Sequence, residues 1–210
     1  MMDYLRDPTE IYAQSFATVE REVDMSGYSP PMQTIVTRLV HACGMVDIVD
    51  DLAFSRGAAE NGLAALSVGC KIHCDVEMVK SGVIETNLPA ECDLVCTLND
   101  ARAAAHGKAT HTTRTAAAVD FWDDLEGAIC VIGNAPTALF RLLERMDAGA
   151  GIPALIIGIP VGFVGAVESK AELAKNPRGS GFITVHGRRG GSAMASSVVN
   201  ALAYLANGKS

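Results

Sequence analysis

The sequence predicts a three-layer α/β/α domain over residues 1–210, with helices covering both faces of a parallel sheet. Three observations carry that reading. Short apolar runs without clean alternation, at 128–132, 154–159 and 181–185, suit strands buried on both sides. Helical stretches alternate with these runs through short connectors. The 20 glycines tend to collect at the ends of apolar runs, where a wound sheet turns tightly.

The elements follow in order. Asp7 can cap a helix that begins at Pro8, with Glu10 completing a capping box, and Ile11, Phe16, Val19 and Val23 follow at helical spacing before Gly27. A second helix begins at Ser29-Pro30, presents Ile35, Val36, Leu39 and Val40, and runs to about His41 before Gly44. A helix at 58–66 ends near Gly69, and short strands are expected within 68–74 and 93–98. A helix at 113–125 leads to the strand at 128–132. Then come a helix at 136–146, the strand at 154–159, a helix at 168–175, the strand at 181–185 and a last helix at 192–206. Residues 207–210 are expected to fray.

Composition narrows the function classes. The chain has 210 residues, 49% of them apolar, which is enough for a sizeable core. Aromatics make up only 5%, so that core is built mostly from Ala, Val, Leu and Ile. The net charge is −7, and the one tight basic pair is Arg188-Arg189, which argues against a nucleic-acid surface. The start at Met1-Met2-Asp3-Tyr4 lacks the pattern of a secretory leader. The longest apolar run, residues 153–167, is interrupted by Gly158, Pro160, Gly162 and Gly165, so no membrane span is expected and the protein reads as cytoplasmic. Cys70, His73 and Cys74 invite a metal reading, but no second Cys/His set has zinc spacing, so no metal site is assigned.

Ligands of such sheets bind outside the carboxyl ends of the strands. After the 128–132 strand come Gly133, Asn134 and Pro136, which place Asn134 and free backbone N–H groups at a cleft. After the 154–159 strand comes an apolar loop punctuated by Gly158, Gly162 and Gly165, which suits a large flat apolar ligand or is merely a tight connection. After the 181–185 strand, His186-Gly187-Arg188-Arg189-Gly190-Gly191-Ser192 leads into a helix. Two guanidinium forks beside a helix N-terminus make an anion site for carboxylate or phosphate, with a solvated turn as the plain alternative. Arg114 sits in the first turn of a helix, against the dipole, which hints at ligand use. His41 closes an apolar helix. It is either a structural histidine or a proton donor near neutral pH. These residues describe an anion-binding α/β enzyme without naming a reaction.

Seven stretches together carry a resemblance: SFATVEREVD (15–24), VTRLVHACGMVD (36–47), KIHCDVEMVKSGV (71–83), TRTAAA (113–118), IGNAPTAL (132–139), GIPVGFVGAVESK (158–170) and GRRGGSAMASSVVNAL (187–202). In order and spacing they resemble precorrin-8X methylmutase, or precorrin isomerase, of cobalamin biosynthesis, over nearly the whole chain. The resemblance implies a flavodoxin-like fold with a five-stranded parallel sheet, a homodimer with active sites near the interface, and no dissociable organic cofactor. It implies transfer of a methyl group from C11 to C12 of a tetrapyrrole, whose metal-free or cobalt-containing form the sequence does not decide. His41 matches the histidine taken as the general acid. Ser15, Arg114 with Thr115, Arg188, Arg189 and Ser192 match positions associated with the ligand, and Asn134 joins them from its place at a strand end. Such a substrate is a large apolar ring edged with carboxylates, which calls for an apolar platform and several anchors. An intramolecular methyl shift needs orientation and a well-placed proton rather than a nucleophile. A tetrapyrrole-binding protein without turnover and a phosphate-handling enzyme using Arg188–Ser192 stay open as alternatives.

Overall fold

The computed structural model describes residue 2 and residues 4–208. Residues 1, 3, 209 and 210 lie outside the described residues, and with them part of the Met1–Tyr4 start and of the fraying expected over residues 207–210.

The N-terminal region is a helical hairpin. Helix α1 (Pro8–Glu22) opens with Asp7 Oδ1 accepting from the Glu10 N–H at 3.0 Å. Helix α2 (Pro30–Cys43) ends at Gly44, whose φ of 68° suits a residue without a Cβ and whose N–H bonds the Val40 carbonyl at 2.8 Å. A 3₁₀ turn (Val46–Asp51), pinned by fully buried Ile48, then delivers the chain to strand β1 (Leu52–Phe54).

The remainder alternates strands with helices: α3 (Ala58–Ser67), β2 (Lys71–Cys74), α4 (Glu77–Gly82), β3 (Asp93–Cys96), α5 (Ala101–Ala109), α6 (Arg114–Val119), β4 (Ile129–Ile132), α7 (Pro136–Asp147), β5 (Leu155–Gly158), α8 (Ala166–Lys175), β6 (Gly181–Val185) and α9 (Ser192–Ala206). Two of these helices, α4 and α5, were not expected from the sequence. Buried residues alternate between the two faces of the sheet. Ile129, Val131, Leu155, Ile157, Ile183 and Val185 face the core beneath α2, α3 and α9, whereas Cys130, Ile132, Ile156 and Phe182 face the core beneath α7 and α8. Each fully buried Leu or Ile contributes roughly 1.5–3 kcal/mol. Helix α9 is buried along nearly all of its length, because it is wedged between the sheet and α2, α3 and α4.

The three-layer α/β/α arrangement is as expected, but the sheet is not. It has six strands in the order β1-β6-β5-β4-β2-β3, and β1 runs antiparallel to β6, pairing Leu52 with Val185 and Phe54 with Ile183. The expectation of a purely parallel, five-stranded flavodoxin-like sheet is therefore corrected to a mixed one. The physical reason is the 3₁₀ turn, which brings the chain in at the carboxyl end of β6, so the next extended residues can only run back along it. Strands β2 to β6 are mutually parallel, and their carboxyl ends share one edge of the sheet.

The helix expected at 113–125 is also shorter than its pattern. It stops at Val119, where Arg145 Nη1 caps the carbonyls of Val119 and Trp122 at 2.5 and 2.8 Å, and Trp122 turns inward to stack on His73, centroids 5.2 Å apart.

Candidate active site

His41 occupies the last turn of α2, exposed to solvent, and α1 crosses beside it. Residues 12, 15 and 16 stand at i, i+3 and i+4 on α1 and so share one face. Tyr12 and Phe16 place their rings 5.4 and 5.3 Å from the imidazole, and Ser15 Oγ lies 2.7 Å from His41 Nδ1. Among the described residues, Nε2 has no hydrogen-bond partner. The serine hydroxyl can donate to Nδ1 of the neutral ring or accept from Nδ1–H of the cation. Either way Nε2 is the nitrogen left to carry an exchangeable proton. The pair opens on a cavity of about 400 Å³ lined also by Ile11, Gln14, Val40 and Gly44. A larger groove of about 610 Å³ lies on the other side of Phe16, where Arg38 sits over the rings of Phe16 and Tyr204.

The loops at the carboxyl ends of β4, β5 and β6 meet at one edge of the sheet, as expected. The Gly162 N–H bonds the Arg188 carbonyl at 3.2 Å, and the Gly191 N–H bonds the Ile159 carbonyl at 2.9 Å. A Cβ on Gly133 would stand 2.8 Å from Ser192 Cα, so the β4 and β6 loops touch where glycine permits it. Ser192 is buried at the first position of α9 beside this contact.

The basic residues fall into different states. The Arg188 side chain is exposed, with its guanidinium carbon 5.3 Å from the centre of the Phe163 ring. Phe163 and its neighbour Val164 are 86% and 88% exposed and form an apolar tip. Arg189, in contrast, is engaged: Nη1 bonds Asp47 Oδ2 and Nη2 bonds Asp51 Oδ2, each at 2.6 Å. Arg114 donates from Nε to the Leu98 carbonyl at 2.8 Å and from Nη2 to Asn99 Oδ1 at 2.9 Å, which leaves part of its fork open. Thr115 Oγ1 joins Thr113 and Thr137 in a hydroxyl cluster, at 3.1 and 3.3 Å. The Asn134 side chain is exposed.

The N–H groups expected to be free after β4 are not. Buried Asp75, just beyond β2, accepts from Gly133, Asn134 and Ala135 at 3.1, 3.0 and 2.8 Å. Burial pushes its carboxyl above the usual range, against the pull of those donors. Sequence reasoning noted Asp75 as a possible carboxylate site without a partner, and it passed over Lys170. Its fully buried amine donates to the Arg189 carbonyl at 2.6 Å, and burial brings its pKa down to about 8, opposed by the charge of Asp51. The available signal was a charged residue inside a quoted stretch, at the end of a strand for Asp75 and on the apolar side of a helix for Lys170.

The structure thus unites Ser15 with His41, Gly133 (the residue before Asn134) with Ser192, and Arg188 with Phe163. Arg114 and Thr115 stand on the β3–β4 side of the same edge, and His41 on the β6–β1 side. Residues 10–205 match the family model described as CbiC, precorrin-8X methylmutase.

The chain belongs to the precorrin-8X methylmutase family.

It is 54% identical over 204 residues to a precorrin-8X methylmutase of Pseudomonas aeruginosa, covering 97% of this chain and 98% of that one. It is 37% identical to a cobalt-precorrin-8 methylmutase of Salmonella typhimurium, covering 97% and 98%. A solved structure described as precorrin-8x methyl mutase from Thermus thermophilus superposes with a TM-score of 0.83 at 35% identity, over 94% of this chain and 98% of that one. Among the described residues, no helix is long and apolar enough to cross a membrane, and no group of three or more His, Cys, Asp or Glu side chains could hold a metal ion.

Proposed function

We propose that His41 is the acid of the reaction this isomerase catalyses, the movement of a methyl group from C11 to C12 of precorrin-8X or its cobalt form. The observation that carries the assignment is the 2.7 Å contact between Ser15 Oγ and His41 Nδ1 at the mouth of a cavity. A fixed Nδ1 leaves Nε2 to present a proton. A proton placed on or near a conjugated macrocycle favours the electron redistribution that the shift requires. Ser15 orients the ring, and Tyr12 and Phe16 wall it.

Arg188, the open part of the Arg114 fork, Thr115, Asn134 and Ser192 are the proposed ligands of the substrate's carboxylates. The apolar tip at Phe163 and Val164 supplies the platform for the ring. The cavity at His41 is open and small for a macrocycle, and Ile11 and Tyr12 of α1 are 43% and 51% exposed beside it. A homodimer that closes this side supplies the missing wall. The protein is proposed to work in the cytoplasm.

His41→Asn is expected to fold and bind the corrinoid product, while single-turnover absorption kinetics fall by about a hundred- to ten-thousand-fold. Near wild-type turnover by that variant removes the acid role. A binding protein without turnover would show no conversion by the wild type at all.

A further inference from the structure

We infer that Arg189 is a positioning residue for His41 rather than an anchor for the substrate, and that Lys170 completes the device. The inference rests on the catalytic reading of His41. The α2 helix ends at Cys43, and the 3₁₀ turn Val46–Asp51 follows directly after Gly44 and Met45. This turn is the only covalent link between the helix end and the sheet. Two of its carboxylates, Asp47 and Asp51, are bridged by the two terminal nitrogens of Arg189, one contact each at 2.6 Å. The backbone repeats the link, because the His186 N–H donates to the Asp51 carbonyl at 2.7 Å. From the opposite face of the sheet, buried Lys170 on α8 holds the Arg189 carbonyl at 2.6 Å.

A continuous path therefore runs from α8 through the backbone and side chain of Arg189 to the turn that fixes the end of α2. A planar guanidinium that bridges two carboxylates fixes direction as well as distance, which a single ammonium contact does not. Arg189 and its partners are partly open to solvent, so their ion pairs add little to global stability. What they add is placement of the helix end. A small displacement of a proton donor from its acceptor lowers the rate steeply while leaving ground-state binding almost unchanged. The neighbouring Arg188 has none of these contacts, which is why two adjacent arginines in one loop separate into two roles.

Arg189→Ala, Arg189→Lys, Asp47→Asn and Arg188→Ala test the assignment together. Each is read by steady-state kinetics and by the imidazole resonances of His41, assigned from their loss in His41→Asn. Arg189→Ala is expected to lower kcat by roughly a hundredfold with little change in KM, and to shift the His41 resonances. Arg189→Lys recovers part of kcat, Asp47→Asn loses less than Arg189→Ala, and Arg188→Ala raises KM with the His41 resonances in place. If Arg189→Ala does not fold, Asp47→Asn and Arg189→Lys carry the same readouts. Unchanged His41 resonances in the Arg189 and Asp47 variants, or a raised KM at constant kcat, overturn the inference and return Arg189 to the substrate. Shifted resonances with unchanged kcat leave the positioning intact and remove the acid role from His41 instead.

Discussion

The loops after β4 and β6 lie two strands apart at one edge of the sheet, and each leads into a helix. They are secured by opposite charges. The β4 loop turns its N–H groups inward onto the buried Asp75 carboxylate, which leaves the Asn134 side chain as its outward polar group. The β6 loop turns a carbonyl inward onto the buried Lys170 amine and keeps its guanidinium groups outside. The loop that needs an acceptor receives a carboxylate, and the loop that needs a donor receives an amine. The outward chemistry of each loop is thereby freed from holding the backbone, except at Arg189.

The loops part most sharply on loss of the buried group. Asp75→Ala strands three N–H donors in a dry site, and a loss of about 3–5 kcal/mol is expected in urea denaturation. Asp75→Asn, which keeps the shape and one acceptor oxygen, should lose clearly less. Equal losses in the two variants would show that the carboxylate does not hold the loop.

Arg188→Ala tests the outer side of the β6 loop. Removing one charged contact is expected to weaken product binding by about 1.5–3 kcal/mol in a titration, with thermal stability unchanged. Wild-type affinity would assign Arg188 to the solvated surface.

The smallest effect concerns pH. The pKa of Lys170 is lowered from 10.5 to about 8 by burial, so between those values the unfolded chain holds more of this proton than the folded one. Stability from this group is fully present above the unfolded value and is lost as pH falls through about 8. Lys170→Met should therefore flatten the rise in denaturation midpoint between pH 8 and 10 relative to the wild type, whereas Asp75→Asn should leave that slope as it is. Parallel profiles for Lys170→Met and the wild type would contradict the buried charge.

The same contrast explains what the sequence could show. Strands β4, β5 and β6 were legible because both of their faces are apolar, and α2 because Ile35, Val36, Leu39 and Val40 repeat at helical spacing before Gly44. Strand β1 was not legible, since its three residues are half-buried and have no pattern without β6 beside them. Helix α5 was missed because it buries only Ala103 and Gly107, and α6 was overextended because Trp122 looked like a continuation of its apolar face. At the proposed site, His41, Ser15 and Arg188 were singled out through a family resemblance. Asp75 and Lys170 were not, because each serves a backbone group some 20 to 60 residues away along the chain. The pairing of Arg189 with Asp47 and Asp51 spans a still longer stretch, and no local spacing announces it.

The antiparallel strand has a consequence for the order of assembly. β1 pairs with β6, and α2 packs on α9, the last strand and last helix among the described residues. On the ribosome, residues 8–54 emerge while both partners are still unsynthesised. At about 5–20 residues per second, the wait for residues 181–206 is on the order of ten seconds. Through that interval the face of α2 that packs on α9 is uncovered, so the nascent helical hairpin is the segment most in need of a chaperone, and the proposed proton donor is seated only once residues 181–206 have been made.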